Sequence, residues 1–110
     1  MPTPEGKIKA KLNRRLDELF RLYRFWPVQM GLGASTLDCL LCAGGWFIAI
    51  ETKRDAKAKL TPRQEYVKQQ IEEAHGLVFV VYDAATLDHA IEVIRSCCML
   101  ADEIRTEIRT

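Results

Sequence analysis

The sequence predicts a single α/β domain over residues 1–110, in the order α-β-β-β-α-β-α, with a mixed central sheet flanked by helices. Three observations lead to this prediction. Apolar residues recur at helical spacing near both ends of the chain. Short apolar runs separated by a glycine turn are typical of a β-hairpin. A continuously apolar run at 77–82, between two helical stretches, is typical of a parallel strand under helices.

The first helix is expected to begin at Thr3 as N-cap, with Pro4 in its first turn. Basic residues dominate one side of this segment, which is expected to face solvent. The apolar residues at helical spacing define the other side, which is expected to face a sheet: Ile8, Leu12, Leu16, Leu19, Phe20 and Tyr23.

Three strands are expected next, at about 26–30, 36–42 and 46–53. Pro27 indicates that the first of them begins at a sheet edge, because proline cannot donate to a ladder of hydrogen bonds. Gly31, Gly33 and Ser35 mark a loop, and Ala43-Gly44-Gly45 is a tight hairpin signal between the second and third strands.

The second half of the chain predicts a helix, a strand and a last helix. Thr61 with Gln64 three residues later is typical of a capping box at a helix start, and Gly76 is placed to end that helix. The run at 77–82 is expected to be a strand buried on both faces. Thr86 is expected to cap the last helix, which extends to about residue 108.

Overall charge is uninformative about partners, because 16 Lys+Arg stand against 15 Asp+Glu for a net charge of +1. No apolar run reaches the length of a membrane span, and the N-terminus is polar rather than signal-like. A cytoplasmic protein without a membrane partner is therefore expected.

The cysteines are expected to be reduced and to serve as small apolar packing residues: Cys39, Cys42, Cys97 and Cys98. The spacing of the first two matches a zinc site, which is the weaker alternative. Residues three apart on a strand point to opposite faces and make a poor chelate.

Chemistry concentrates around the predicted hairpin. Glu51 and Lys53 are two apart on a strand and therefore leave the same face. Asp38 lies on the neighbouring strand and can approach Glu51 across the pair. Two carboxylates that face one point repel each other unless a cation lies between them, and oxygen ligands suit hard ions such as Mg²⁺ or Mn²⁺.

Two further polar groups lie on the inward stripes of their helices. Glu5 shares the face of Ile8 and Leu12, and Gln64 shares the face of Val67 at the start of the helix after Glu51. Both would aim at the carboxylate pair. Simpler interpretations remain open: Glu5 can complement the helix dipole, Gln64 can serve the capping box alone, and the carboxylate and lysine on the third strand can be a solvated pair.

This ordered set resembles the PD-(D/E)XK nuclease superfamily, and the chain as a whole resembles its virus-type replication-repair nuclease branch, VRR-NUC. Residues 3–83 carry the resemblance through Asp38 and the motifs Thr3-Pro4-Glu5-Gly6, Pro27-Val28-Gln29-Met30-Gly31, Ile50-Glu51-Thr52-Lys53, Leu60-Thr61-Pro62-Arg63-Gln64 and Val78-Phe79-Val80-Val81. One departure is Ser35-Thr36-Leu37, where the family often has glycine or proline before the aspartate. The replaced residue is not a ligand, so the departure concerns the shape of the loop.

The resemblance implies a single PD-(D/E)XK restriction-endonuclease-like domain with defined roles. Asp38, Glu51 and the Thr52 backbone carbonyl would bind the metal, and Glu5 would act at a second metal or through water. Lys53 would orient the attacking water or stabilise charge on the phosphate. Gln64 would position water or phosphate.

Candidate DNA contacts surround this site. Gln29, through the resemblance, would line it. Basic residues beside a metal site are candidates for phosphate contacts: Lys9, Arg54, Lys57, Lys59 and Arg63.

The function expected is a Mg²⁺- or Mn²⁺-dependent endonuclease acting on DNA, resembling Holliday-junction resolvases in a preference for branched substrates. A homodimer or higher oligomer is expected, because one small domain offers little surface for a long duplex. The compact form resembles stand-alone phage versions, which implies the cytoplasm of a bacterial host. Alternatives are a non-catalytic DNA-binding or assembly module and a restriction- or nicking-type nuclease.

Overall fold

A computed structural model describes residues 3–28 and 36–109, with side chains to residue 100. The elements are α1 (Pro4–Leu16), β1 (Leu22–Phe25), β2 (Cys39–Ala43), β3 (Trp46–Thr52), α2 (Pro62–Glu73), β4 (Leu77–Val81) and α3 (Ala84–Arg109). This is the predicted order of helices and strands. Among the helices described, none has both the length and the apolar composition needed to cross a membrane.

The strands form one mixed sheet in the order β1-β2-β3-β4. β1, β2 and β3 pair antiparallel, and β4 runs parallel to β3. The β2–β3 turn contains Gly44 and Gly45 at φ 59° and 92°, a left-handed conformation that favours glycine and matches the twist of a hairpin. This turn sets a register in which Cys39 of β2 pairs with Ile50 of β3. Asp38 and Glu51 are the next residues on these two segments and therefore lie side by side.

Two helices cover one face of the sheet and one helix covers the other. α1 and α3 pack on a core that includes Leu12, Leu41, Ile48, Ile50 and Ile94, whereas α2 packs through Val67 on Leu37 and Ala49. Strand alternation explains the division, because Ile48 and Ile50 point to one face and Ala49 to the other. The catalytic candidates lie where both layers meet one end of β3.

The cysteine prediction holds for three residues of four. Cys39, Cys97 and Cys98 are buried and packed in the core, whereas Cys42 is exposed. Burial raises the pKa of Cys39 to about 12, so its thiol stays protonated at neutral pH. The prediction was wrong for Cys42, because it lies on the part of the sheet that α2 leaves uncovered.

The first helix is shorter than predicted and the first strand comes earlier. α1 ends at Leu16, and Arg21 at φ 59° reverses the chain before β1. Phe20 and Tyr23, predicted on the inner stripe, are 79% and 69% exposed. The helical spacing of apolar residues continues past Leu16 in the sequence, but the pairing of β1 with β2 prevents the helix from continuing. Of the strand predicted at 26–30, residues 26–28 are not strand and the rest lies outside the described residues.

Helix boundaries confirm two N-caps and correct two other predictions. Thr3 caps α1, where its hydroxyl accepts from the Gly6 amide at 3.0 Å and Pro4 is the first helical residue. The capping box of Thr61 and Gln64 is present at the start of α2. At its end, His75 rather than Gly76 adopts the left-handed conformation, at φ 68°. Asp83 rather than Thr86 precedes α3 as its cap: the Asp83 carboxylate accepts from the Thr86 amide at 2.8 Å, and the Thr86 hydroxyl accepts in return from the Asp83 amide.

β4 is parallel to its neighbour as predicted, but it is not buried on both faces. It lies at the edge of the sheet, where four of its five residues are only partly buried. The apolar run therefore identified the strand and its direction correctly and its depth incorrectly.

Candidate active site

Four segments bring the predicted site residues to one end of the sheet. Asp38 lies immediately before β2, Glu51 is the second-to-last residue of β3, and Lys53 follows that strand. The first turn of α1 supplies Glu5, and the first turn of α2 supplies Gln64. Both α1 and α2 thus begin at the site, and each places a polar side chain of its first turn there.

Three carboxylates converge at this point. Glu5, Asp38 and Glu51 each offer an oxygen that lies within 4.8 Å of the other two. Asp38 and Glu51 meet because the hairpin register places them side by side, and Glu5 reaches them from the helix layer below. The first-turn position of Glu5 also suits the helix dipole, so both interpretations of this residue describe the same location.

Glu51 is the most buried of the three, with 2% of its surface exposed. One carboxylate oxygen, Oε1, accepts from the Asp38 amide at 3.1 Å. The other, Oε2, accepts from Gln64 Nε2 at 2.9 Å and lies 3.6 Å from Lys53 Nζ. The solvated-pair interpretation is therefore excluded by burial.

Burial is the main reason why the Glu51 carboxyl group is an unusually weak acid. Desolvation, the charge of Asp38 and the charge of Glu5 together raise its pKa to about 7, against the opposing effects of the Asp38 amide and the Lys53 ammonium. The Lys53 ammonium alone does not offset burial and the two neighbouring carboxylates. A bound cation would supply further positive charge and favour the ionised form.

Asp38 is held by residue 52. Its Oδ2 accepts from the Thr52 amide at 2.9 Å and from the Thr52 hydroxyl at 2.8 Å. Its Oδ1 lies 3.5 Å from Lys9 Nζ. The sequence predicts a role only for the Thr52 backbone carbonyl and a phosphate contact for Lys9; it does not predict the contacts of these two side chains with Asp38. A hydroxyl on the strand residue next to a proposed ligand was the available signal.

Gln64 joins the helix cap to the site. Its Oε1 accepts from the Thr61 amide and from Lys53 Nζ, both at 2.9 Å, while its Nε2 donates to Glu51. The capping role and the site role predicted as alternatives therefore coexist in one side chain. Because the amide bonds both neighbours, it fixes the ammonium and the carboxylate relative to each other.

The donor set fits a hard divalent cation. Three carboxylates within 4.8 Å carry more negative charge than Lys9 and Lys53 offset. The side-chain atoms that could bind a metal here are all carboxylate oxygens. Oxygen donors of this kind suit Mg²⁺ or Mn²⁺. Cys39 and Cys42 contribute nothing to such a group in the part of the chain that the structure describes, which leaves the zinc alternative without support.

The remaining predicted DNA contacts lie around this end of the molecule. Arg54, Lys57 and Lys59 are exposed on the segment between β3 and α2, and Asp55 lies 3.6 Å from Arg54 and accepts from the Lys57 amide. Arg63 stacks 5.3 Å above the ring of Tyr66. Gln29 lies outside the described residues.

Comparison with known proteins identifies the fold. A solved structure described as a VRR_NUC domain matches this chain with a TM-score of 0.70 and 24% sequence identity, over 82% of this chain and 96% of that one. No protein-family model and no curated protein matches the sequence. The predicted α/β architecture is thus confirmed: the chain has the fold of a VRR_NUC domain.

Proposed function

We propose that this chain is a metal-dependent endonuclease of the VRR-NUC type, which hydrolyses phosphodiester bonds in DNA. The observation that carries the proposal is the convergence of Glu5, Asp38 and Glu51 within 4.8 Å, beside Lys53, on the fold of a VRR_NUC domain. A carboxylate cluster with one fully buried member and an adjoining ammonium is costly to maintain, and it has the composition that phosphodiester hydrolysis requires.

The residues divide the chemistry among them. Asp38 and Glu51 would hold Mg²⁺ or Mn²⁺, with Glu5 and the Thr52 carbonyl completing or extending the set. A bound ion of this kind lowers the pKa of water and neutralises phosphoryl oxygens. The Lys53 ammonium, held by Gln64 at 2.9 Å, is placed to stabilise the negative charge that develops on the scissile phosphate.

DNA is the proposed substrate, and branched DNA the preferred form. The exposed cations between β3 and α2 flank the carboxylates on one side, and Arg63 extends the basic surface onto α2. Phosphates bound there would place the backbone beside the site without reading the bases. A substrate with a bend or junction would suit a short basic surface better than a long straight duplex.

The decisive experiment is cleavage of duplex, flap and four-way-junction DNA with Mg²⁺ or Mn²⁺. Asp38→Asn, which preserves size and removes charge, should abolish cleavage. Asp88→Asn is the matched control, since Asp88 pairs with Arg15 on the surface and should leave cleavage unchanged. Equal cleavage by wild type and Asp38→Asn would contradict the proposed site. Absence of Mn²⁺ binding would instead favour a non-catalytic DNA-binding module.

We also propose a homodimer or higher homo-oligomer, so that two sites address two strands. Support comes from the uncovered half of the sheet, where Tyr23, Phe25, Cys42 and Phe47 line an apolar concavity of about 300 Å³ next to the edge strand β1. A second copy is the occupant that brings an equal apolar face. Light scattering should show an assembly that Phe25→Glu converts to a monomer; a wild-type monomer at micromolar concentration contradicts the proposal.

A further inference from the structure

The Thr52 side chain is fully buried, with 0% of its surface exposed. A buried hydroxyl is unfavourable unless it forms hydrogen bonds, and an isosteric valine would pack in its place without that requirement. The hydroxyl donates to Asp38 Oδ2 at 2.8 Å, and this contact explains why a polar residue occupies the last position of β3.

Thr52 donates two hydrogen bonds to the same carboxylate oxygen of Asp38. The backbone amide donates to Oδ2 at 2.9 Å in addition to the hydroxyl, whereas Oδ1 faces the Lys9 ammonium at 3.5 Å. Two donors on one oxygen fix the rotation of a carboxylate group, because turning it would break both bonds. Oδ1 therefore remains available to a positive charge, and it is the oxygen that faces Lys9.

Asp38 is held at the end of the hairpin by contacts with two residues of β3. It lies just outside β2, so the sheet ladder does not hold its backbone. Its amide donates to Glu51 Oε1 and its side chain accepts from Thr52. Consecutive residues at the end of β3 thus hold the backbone and the carboxylate of Asp38 respectively.

We infer that Thr52 is a positioning residue whose hydroxyl orients the Asp38 carboxylate for binding a divalent cation. The inference rests on the proposed function, since it concerns the same site, and it adds a side-chain role to the residue between Glu51 and Lys53. Residues that orient metal ligands in this way typically change metal affinity by about 10- to 100-fold when they are replaced.

The test is calorimetric titration of the full chain with Mn²⁺ in the absence of DNA. Thr52→Val removes the hydroxyl at constant volume and should weaken Mn²⁺ binding by about 10-fold or more. Thr52→Ser keeps the hydroxyl and should bind within about 3-fold of wild type, which a purely packing role would not predict. Thr86→Val is the matched control: its hydroxyl bonds Tyr82 and Asp83 at the cap of α3, so it should lower the melting temperature and leave Mn²⁺ affinity unchanged.

Two failures can be told apart. Wild-type affinity in a folded Thr52→Val variant overturns the role of the hydroxyl and leaves the nuclease proposal standing. Weakened binding in Thr52→Ser equal to that in Thr52→Val overturns it as well, because packing would then be the cause. Absence of Mn²⁺ binding in wild type contradicts the nuclease proposal itself, and this inference with it.

Discussion

Gln64 Nε2 donates a 2.9 Å hydrogen bond to Glu51 Oε2 and so connects the first turn of α2 to the end of β3. The same side chain accepts from Thr61 in the capping box and from Lys53. A helix cap and a candidate active site therefore share one amide group, and the stability of α2 is coupled to the geometry of the site.

Replacing Gln64 should consequently affect both properties. Gln64→Ala removes the cap contact and both site contacts, and we expect a loss of about 1 kcal/mol in the free energy of unfolding. Mn²⁺ affinity should fall by about 10-fold or more, because the orientation of Glu51 is no longer maintained. Urea unfolding and calorimetry measure the two effects. Gln69→Ala, which removes an exposed contact with Glu73 on the same helix, should change neither by more than a fraction of these amounts.

The stability of the metal-free protein should depend on pH through Glu51. Its pKa is about 7 in the folded chain against an ordinary 4.5, so the folded state binds the proton more tightly than the unfolded state. Its favourable contribution is complete below pH 4.5 and is lost as pH rises through about 7. Relative to Glu51→Gln, wild type should therefore lose stability between pH 4.5 and pH 8, by on the order of 2–3 kcal/mol. Parallel urea curves for the two proteins across this range would contradict the assignment.

Metal binding should release the proton that Glu51 holds. Since a ligating carboxylate must be ionised, Mn²⁺ affinity should rise about tenfold per pH unit below pH 7 and level off above it. Calorimetry at pH 6.5 in two buffers of different ionisation enthalpy should detect proton release on binding. An affinity independent of pH from 5.5 to 7.5 would show that Glu51 is not a ligand.

Two neighbouring residues at the end of α2 should respond in opposite directions. Gly76 has no room for a side chain, because an added Cβ would lie 2.6 Å from Ile71 Cγ2 and 3.2 Å from the Phe47 carbonyl oxygen. Gly76→Ala should therefore destabilise the fold by about 1–3 kcal/mol. His75 holds φ 68°, a conformation unfavourable for a side chain, so His75→Gly should stabilise it by up to about 1 kcal/mol. Thermal unfolding checks both signs; a stabilising Gly76→Ala would contradict the close contact.

Local sequence determined the elements that depend on short-range physics. The capping box of Thr61 and Gln64, the glycine turn at residues 44 and 45, and the direction of β4 follow from residue type and spacing within a few positions. The order of elements and the fold of a VRR_NUC domain were predicted on the same basis together with the motif resemblance, and both are confirmed. The meeting of Asp38 and Glu51 was predictable because a tight hairpin sets its own register.

Only the tertiary structure decided the features that depend on distant partners. The helical pattern through Tyr23 could not reveal that α1 ends at Leu16, because the pairing of β1 with β2 competes with it and prevails. The Thr52 hydroxyl on Asp38 and the raised pKa of Glu51 arise from burial and from charges brought together by folding. Spacing records which face a side chain leaves, whereas hydration and neighbouring charge are properties of the packed chain, and these govern the chemistry of the site.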